Sequence, residues 1–335
     1  MEIEKEKEVE KIPSGLKKAL KIILPLIFGF VVLWMLYRET NFDDMWSMIK
    51  DANFGILAFS LLFGLASNII RAFRWKLLIS PLGYSPKTSN LVYAVLGNYA
   101  INFVLPRAGE VWRCGVISQK EEIPFSKLLG TLIVDRLFDT IAVALIIMGA
   151  CILNIGFFVS YFDQNPHILQ FLERIFSSVW LYVGIVASVG VVFLIFKIFK
   201  ESAIIKKITS FFVGIGNGLQ AVWKMKQKSL FLLYTLGIWV GYFCYFYITF
   251  FAFGFTRDLG IVAGLIVFAM SSLGVAAPTQ GGVGAWHFMV ISSLVILGVA
   301  DESARAFAFA VFFIQSLWVI LCGIYGIFAL SVTKK

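Results

Sequence analysis

Apolar runs dominate the chain, and polar residues fall at their ends or at a few places inside them. Ile22 to Tyr37 follows Lys17, Lys18 and Lys21. Phe54 to Ile70 is uncharged and ends at Arg71 and Arg74. Ser89 to Leu105 is uncharged but carries Asn90, Gly97, Asn98 and Asn102, then stops at Pro106. Leu128 to Phe158 holds Asp135, Arg136 and Asp139 in its interior. Ser178 to Phe196 and Leu230 to Thr256 are clean, and Ala306 to Thr333 precedes Lys334 and Lys335. Leu259 to Ala300 lacks Asp, Glu, Lys and Arg but is broken at Pro278-Thr279-Gln280-Gly281-Gly282-Val283-Gly284. About 20 apolar residues make a helix that crosses hydrocarbon. The pattern therefore predicts an all-α, polytopic integral-membrane bundle of about eight spans, two of them from residues 259–300. Basic loops flank residues 89–105 on both sides, so that run reads as a re-entrant or half-helix. Irregular backbone at membrane depth survives only where protein buries it or water reaches it, which puts Pro106 at the wall of a cavity.

Residues 202–227 follow a different period. Ile204, Ile208, Phe211, Phe212, Ile215, Leu219 and Val222 recur at helical spacing between lysines. This predicts an amphipathic helix on the cytoplasmic surface or against the bundle. It joins two halves, about 19–200 and 228–333, of one transmembrane domain; residues 1–18 form a polar tail with five Glu and five Lys. Each half has one Pro/Gly-broken segment, the sequence pointer to a transporter's central site. Basic loops at 71–87 and 197–228 are expected inside, which places both termini in the cytoplasm of a cell inner (cytoplasmic) membrane.

Composition agrees: 59% of the 335 residues are hydrophobic and 15% charged, where soluble domains average about 25% charged. The net charge of +9 follows the positive-inside bias rather than nucleic-acid binding, since no basic stripe with interleaved aromatics lies outside the spans. The four cysteines are scattered and the two histidines far apart, so neither a metal site nor a disulfide framework is expected. No cofactor is implied: the glycine break lacks the Lys-Ser/Thr ending of a nucleotide loop, and no catalytic fingerprint of a soluble enzyme is present.

The chemistry sits in the interior charges. An Asp or Arg at a helix centre costs about 2.5–3.5 kcal/mol on insertion scales, so such residues pair, face water or bind something. Asp135 and Asp139 are spaced i, i+4, with Arg136 on the same broad face, and Asp135 is expected about 10 Å into its run. Arg107, Glu110 and Arg113, three apart, share a helical face. Three cations and three anions sum to zero across the two clusters, which suggests a paired polar site whose arginines suit bidentate contact with phosphate. Gly281, Gly282 and Gly284 let the backbone bend sharply and approach a ligand. His287 beside them reads as a hydrogen-bonding residue rather than a metal ligand.

Taken in order, Pro106-Arg107-x-Gly109-Glu110-x-x-Arg113, Asp135-Arg136-x-x-Asp139 and Pro278-x-x-Gly281-Gly282-x-Gly284 resemble the lysylphosphatidylglycerol synthase transmembrane-region family over most of residues 20–330. The resemblance implies a flippase-like membrane domain that handles lipids. In the bifunctional synthases this domain moves aminoacylated phosphatidylglycerol while a separate soluble domain performs the aminoacyl transfer. Lys335 follows directly on the last span, so synthase activity is not expected here. Gln280 stands where the family usually has a second Pro, and His287 where it usually has an acid, changes that touch the substrate rather than the fold. The expected function is a lipid translocase or lipid-binding transporter, not an enzyme, taking a phospholipid or polyprenyl-linked lipid headgroup. Arg107, Glu110, Arg113, Asp135, Arg136, Asp139, Pro278, Gly281, Gly282, Gly284 and His287 would bind it. Two rivals stand beside it: a membrane-embedded enzyme on a lipid-linked substrate, and a non-transporting scaffold.

Overall fold

The computed structural model describes residues 27, 29–105, 108–164, 225–277 and 279–333, with isolated positions between 170 and 202. Pro106, Arg107, Pro278, the polar tail, and nearly all of the run 178–196 and of the amphipathic segment lie outside them. The described residues form helices without strands: α1 (29–37), α2 (Phe42–Lys50), α3 (Phe54–Ile79), α4 (Thr88–Val104), α5 (Ala108–Glu121), α6 (Phe125–Leu153), α7 (Ile155–Gln164), α8 (Lys228–Tyr247), α9 (Ile261–Ala276), α10 (Ala285–Ile296) and α11 (Asp301–Val332). Asn41 and Asn53 start α2 and α3 by accepting backbone N–H bonds on their side chains.

Four stretches are long and apolar enough to cross a membrane: Phe54–Leu82, Phe125–Leu153, Lys228–Ala252 and Asp301–Val332, of 29, 29, 25 and 32 residues. At 1.5 Å per residue the shortest is about 37 Å long, against roughly 30 Å of hydrocarbon. Phe59, Leu62, Leu145, Met148, Leu236, Leu321, Ile324 and Phe328 stand exposed on them, the apolar exterior that lipid requires. This is a multi-pass, all-α membrane protein.

Between the long helices sit two hairpins of short ones. α4 and α5 run antiparallel: Asn90 Nδ2 at the start of α4 donates to Glu121 Oε1 at the end of α5 at 2.6 Å, and the Lys87 N–H donates to the same oxygen at 3.1 Å. The expected re-entrant run 89–105 thus returns as α5. Gly109 makes the turn possible: its N–H donates to Asn102 Oδ1 at 2.9 Å, and a Cβ there would strike the Asn98 carbonyl. The second hairpin, α9 and α10, has 16 and 12 residues, each short of the roughly 20 of a full crossing. A Cβ on Gly274 would lie 2.7 Å from Trp286 Cα, so the limbs touch backbone to backbone. Its tip holds Gly281, Gly282 and Gly284 at φ of 62°, 82° and 82°, a region open to glycine. The tip rests on Phe103 of α4 through Gly281 and on α1 through Gly284, so the two broken segments meet.

Small residues let the long helices close on the hairpins. Gly323 and Gly326 of α11 admit Leu96, Ala100 and Tyr93 of α4, and Gly241 of α8 meets Ser67 of α3. An aromatic core of Phe246, Phe250, Phe253, Phe268, Trp286 and Phe307 fills one end of the bundle. Trp75, Ile79, Leu91, Ile117, Ile123 and Leu128 fill the other.

Candidate functional site

Three helices bring the interior charges to one place. α6 supplies Asp135, Arg136 and Asp139; α5 supplies Glu110 and Arg113; α3 supplies Arg71 and Arg74. The last two correct the sequence reading, which ended the first long run at Ile70 and left both arginines in a basic loop. α3 continues to Ile79, and both arginines are buried inside the bundle. Asp135 lies about 10 Å from Leu128 as expected, and about 15 Å from the start of α6, which begins three residues earlier at Phe125.

The aspartates are saturated. Asp135 Oδ1 takes Arg74 Nη2 at 2.6 Å and Nε at 2.9 Å, and its Oδ2 takes Arg113 Nη2 at 3.0 Å. Asp139 Oδ1 takes Arg74 Nη2 at 2.7 Å. Its Oδ2 is shared by Arg71 Nη1 and, at 3.3 Å, Arg136 Nη1. Arg74 also donates to Thr235 Oγ1 at 3.2 Å and to the Asp135 carbonyl at 3.2 Å. Arg136 Nε lies 3.0 Å from Glu110 Oε1, and here the side chains are 32% and 28% exposed while Arg74, Arg113 and Asp135 are fully enclosed. Guanidinium faces rest on rings: Arg113 on Trp75 at 4.6 Å, Arg71 on Tyr242 at 5.6 Å and Arg74 on Phe231 at 5.7 Å. The balance is not zero. Four guanidiniums (71, 74, 113, 136) against three carboxylates (110, 135, 139) leave one positive charge among the described residues.

This cluster floors a cavity of about 660 Å³. Arg71, Arg136, Asp139, Asn68 and Tyr99 give its polar side; Val143, Ile147, Phe246, Phe268, Val275 and Val319 give apolar wall. Tyr242 O–H donates to Asn68 Oδ1 at 2.7 Å. Its proton is thereby committed, so Tyr99, 2.9 Å away, donates to Tyr242. The chain of hydroxyls ends beside Arg71.

Of the residues singled out in the sequence, Glu110, Arg113, Asp135, Arg136 and Asp139 come together as expected. Gly281, Gly282 and Gly284 form the hairpin tip; the cavity wall itself is made by their flanks Val275, Ala276 and Trp286. His287 does not join the charges. It is buried against Phe312 at 4.4 Å between ring centroids and lines a second, aromatic cavity of about 600 Å³ with Tyr37, Phe309 and Phe313. Tyr99, Tyr242 and Gln315, which the sequence reading passed over, line the charged cavity.

Fold and site together define a multi-pass membrane protein with a charged cavity lined by its long helices and the α9–α10 hairpin. The chain belongs to the lysylphosphatidylglycerol synthase TM region family, whose pattern matches residues 22–323. It is similar to UPF0104 membrane protein MJ1595 of Methanocaldococcus jannaschii, at 26% identity over 198 residues, 58% of this chain and 57% of that protein. It is similar also to glycosyltransferase AglD of Haloferax volcanii, at 26% over 124 residues, 37% of this chain and 20% of that protein. A third relative, UPF0104 membrane protein MJ1078 of Methanocaldococcus jannaschii, is 27% identical over 213 residues, 62% of this chain and 83% of its own length.

Proposed function

We propose that the chain is a flippase-like lipid carrier of the cytoplasmic membrane that holds a phosphate-bearing headgroup at Arg136 and Arg71 and lays the tails along the apolar wall. The observation that carries this reading is the surplus cation at the floor of an apolar cavity. A charged floor and greasy walls match the two ends of a phospholipid, and guanidinium geometry suits phosphate. Arg74, Arg113, Asp135 and Asp139 hold in place Arg136, which is about a third exposed, and Arg71, which is buried beside it at the cavity. Both termini face the cytoplasm in this reading; counting the α9–α10 hairpin as two crossings or none leaves that parity unchanged.

The similarity to a protein named a glycosyltransferase favours one runner-up, an enzyme acting on a lipid-linked substrate. A base-catalysed version needs a free carboxylate oxygen, yet each oxygen of Asp135 and Asp139 has a guanidinium nitrogen within 3.3 Å. The carrier reading is tested with the purified chain in liposomes containing fluorescent phospholipid, by following loss of signal to an impermeant quencher. Movement faster than in empty liposomes, slowed by Arg136→Gln, supports it. No acceleration for any labelled native lipid contradicts it, and covalently altered lipid favours the enzyme.

A further inference from the structure

The two polar signs are not equally available in the charged cavity. Every oxygen of Asp135 and Asp139 already faces a guanidinium. Glu110 has Oε1 on Arg136. Donors are in surplus. Arg71 spends Nη1 on Asp139, while its Nε has no acceptor. Arg136 spends Nη1 on Asp139 at 3.3 Å; its Nε lies 3.0 Å from Glu110 Oε1 without making a hydrogen bond, and its side chain remains about a third open. Trp239 Nε1, on the same cavity wall, also lacks an acceptor. Among the described residues lining this cavity, no buried side-chain acceptor is left without a donor.

An ammonium entering here would meet net positive charge and two aspartates whose oxygens already face arginines. A phosphate oxygen would meet N–H groups that want an acceptor, and would bring the local charge to zero. Uncompensated charge in a low-dielectric site is costly, so sign selects strongly.

We infer that this cavity selects lipids whose headgroup is a net-anionic phosphate ester without an ammonium group, and discriminates against aminated headgroups, aminoacylated phosphatidylglycerol included. The inference rests on the carrier reading above and narrows it to one substrate class.

The test is a competition. The full purified chain in mild detergent is equilibrated with an equimolar mixture of phosphatidylglycerol, phosphatidylethanolamine and lysyl-phosphatidylglycerol of identical acyl chains. Retained lipid is then read by native mass spectrometry. Phosphatidylglycerol is retained about tenfold or more over each aminated lipid, the factor that one charge-assisted hydrogen bond is worth. Arg136→Gln, which removes the surplus charge, brings the ratio towards one. Glu110→Gln, which adds to the surplus, keeps or raises it. Equal or greater retention of lysyl-phosphatidylglycerol or phosphatidylethanolamine by the unmodified chain overturns the inference while leaving lipid carriage standing. Retention of none of the three above detergent background overturns both. The comparison within the unmodified chain decides the matter even where a variant fails to fold.

Discussion

Replacing Arg74 by Gln separates the part of the charge cluster that holds the bundle together from the part that faces the cavity. Arg74 is fully buried and bridges two carboxylates, Asp135 at 2.6 and 2.9 Å and Asp139 at 2.7 Å. Its removal leaves Oδ1 of both aspartates without a cation, Asp135 fully enclosed and Asp139 nearly so. Breaking one buried pair costs about 3–5 kcal/mol, because the surviving charge stays desolvated. At about 1.4 kcal/mol per tenfold, the folded-to-unfolded ratio falls by two to nearly four orders of magnitude, a large part of an ordinary stability of about 5–15 kcal/mol. Arg136→Gln touches ion pairs that are about a third exposed; screening leaves them worth about 1 kcal/mol or less. Thermal unfolding in detergent, followed by the fluorescence of the nine tryptophans, reads both. Arg74→Gln unfolds far below the unmodified chain and Arg136→Gln close to it. Arg74→Lys does not rescue, since one ammonium lacks the fork that reaches two carboxylates. Equal stability of Arg74→Gln and the unmodified chain, or a larger loss for Arg136→Gln, refutes this division of labour.

The hairpins give further tests. Gly109→Ala drives a Cβ into the Asn98 carbonyl, and overpacking of this kind costs about 1–3 kcal/mol, seen as a lowered unfolding temperature. Gly281→Ala combines a φ of 62° with Phe103 at 2.9 Å from the new Cβ, so a loss of about 1–3 kcal/mol is expected in the same assay. Tyr242→Phe removes the donor to Asn68. It leaves a part-buried acceptor unpaired at about 1–3 kcal/mol, while ring contact with Arg71 is kept; unfolding temperatures of the single variant and of Tyr242→Phe with Asn68→Leu check whether the second change recovers stability.

Much of this arrangement was legible in the sequence because hydrocarbon makes charge conspicuous. Asp135, Arg136 and Asp139 stand out in an apolar run, and Glu110 and Arg113 announce a second face at helical spacing. The helix break at Pro106 and the glycines at 281, 282 and 284 marked where the chain turns, but residues 259–300 were expected as two full spans, whereas α9 and α10 have only 16 and 12 residues. Arg71 and Arg74 were hidden by the opposite logic. Two basic residues at the end of an apolar run of ordinary span length look like an interfacial stop. The signal that places them inside is periodic: Ser67, Asn68, Arg71, Arg74, Trp75 and Leu78 recur three and four residues apart, so one polar stripe continues past Ile70 onto a face that must pair. The charge balance was misjudged for want of those two residues. His287 follows the glycine break directly in sequence, yet helical geometry turns it away from its neighbour Trp286, one facing the aromatic cavity and the other the charged one. Adjacent positions on a helix point about 100° apart, and only packing decides which of two cavities each one reaches.

The claim that the surplus guanidinium charge receives a lipid phosphate is tested most directly by cryo-electron microscopy of the full chain in nanodiscs of phosphatidylglycerol. The account predicts phosphate density in the cavity within about 3 Å of nitrogens of Arg136 and Arg71, with acyl density along Val143, Ile147 and Val319. A cavity that holds acyl chains or water alone, with every phosphate outside at the headgroup layer, contradicts it.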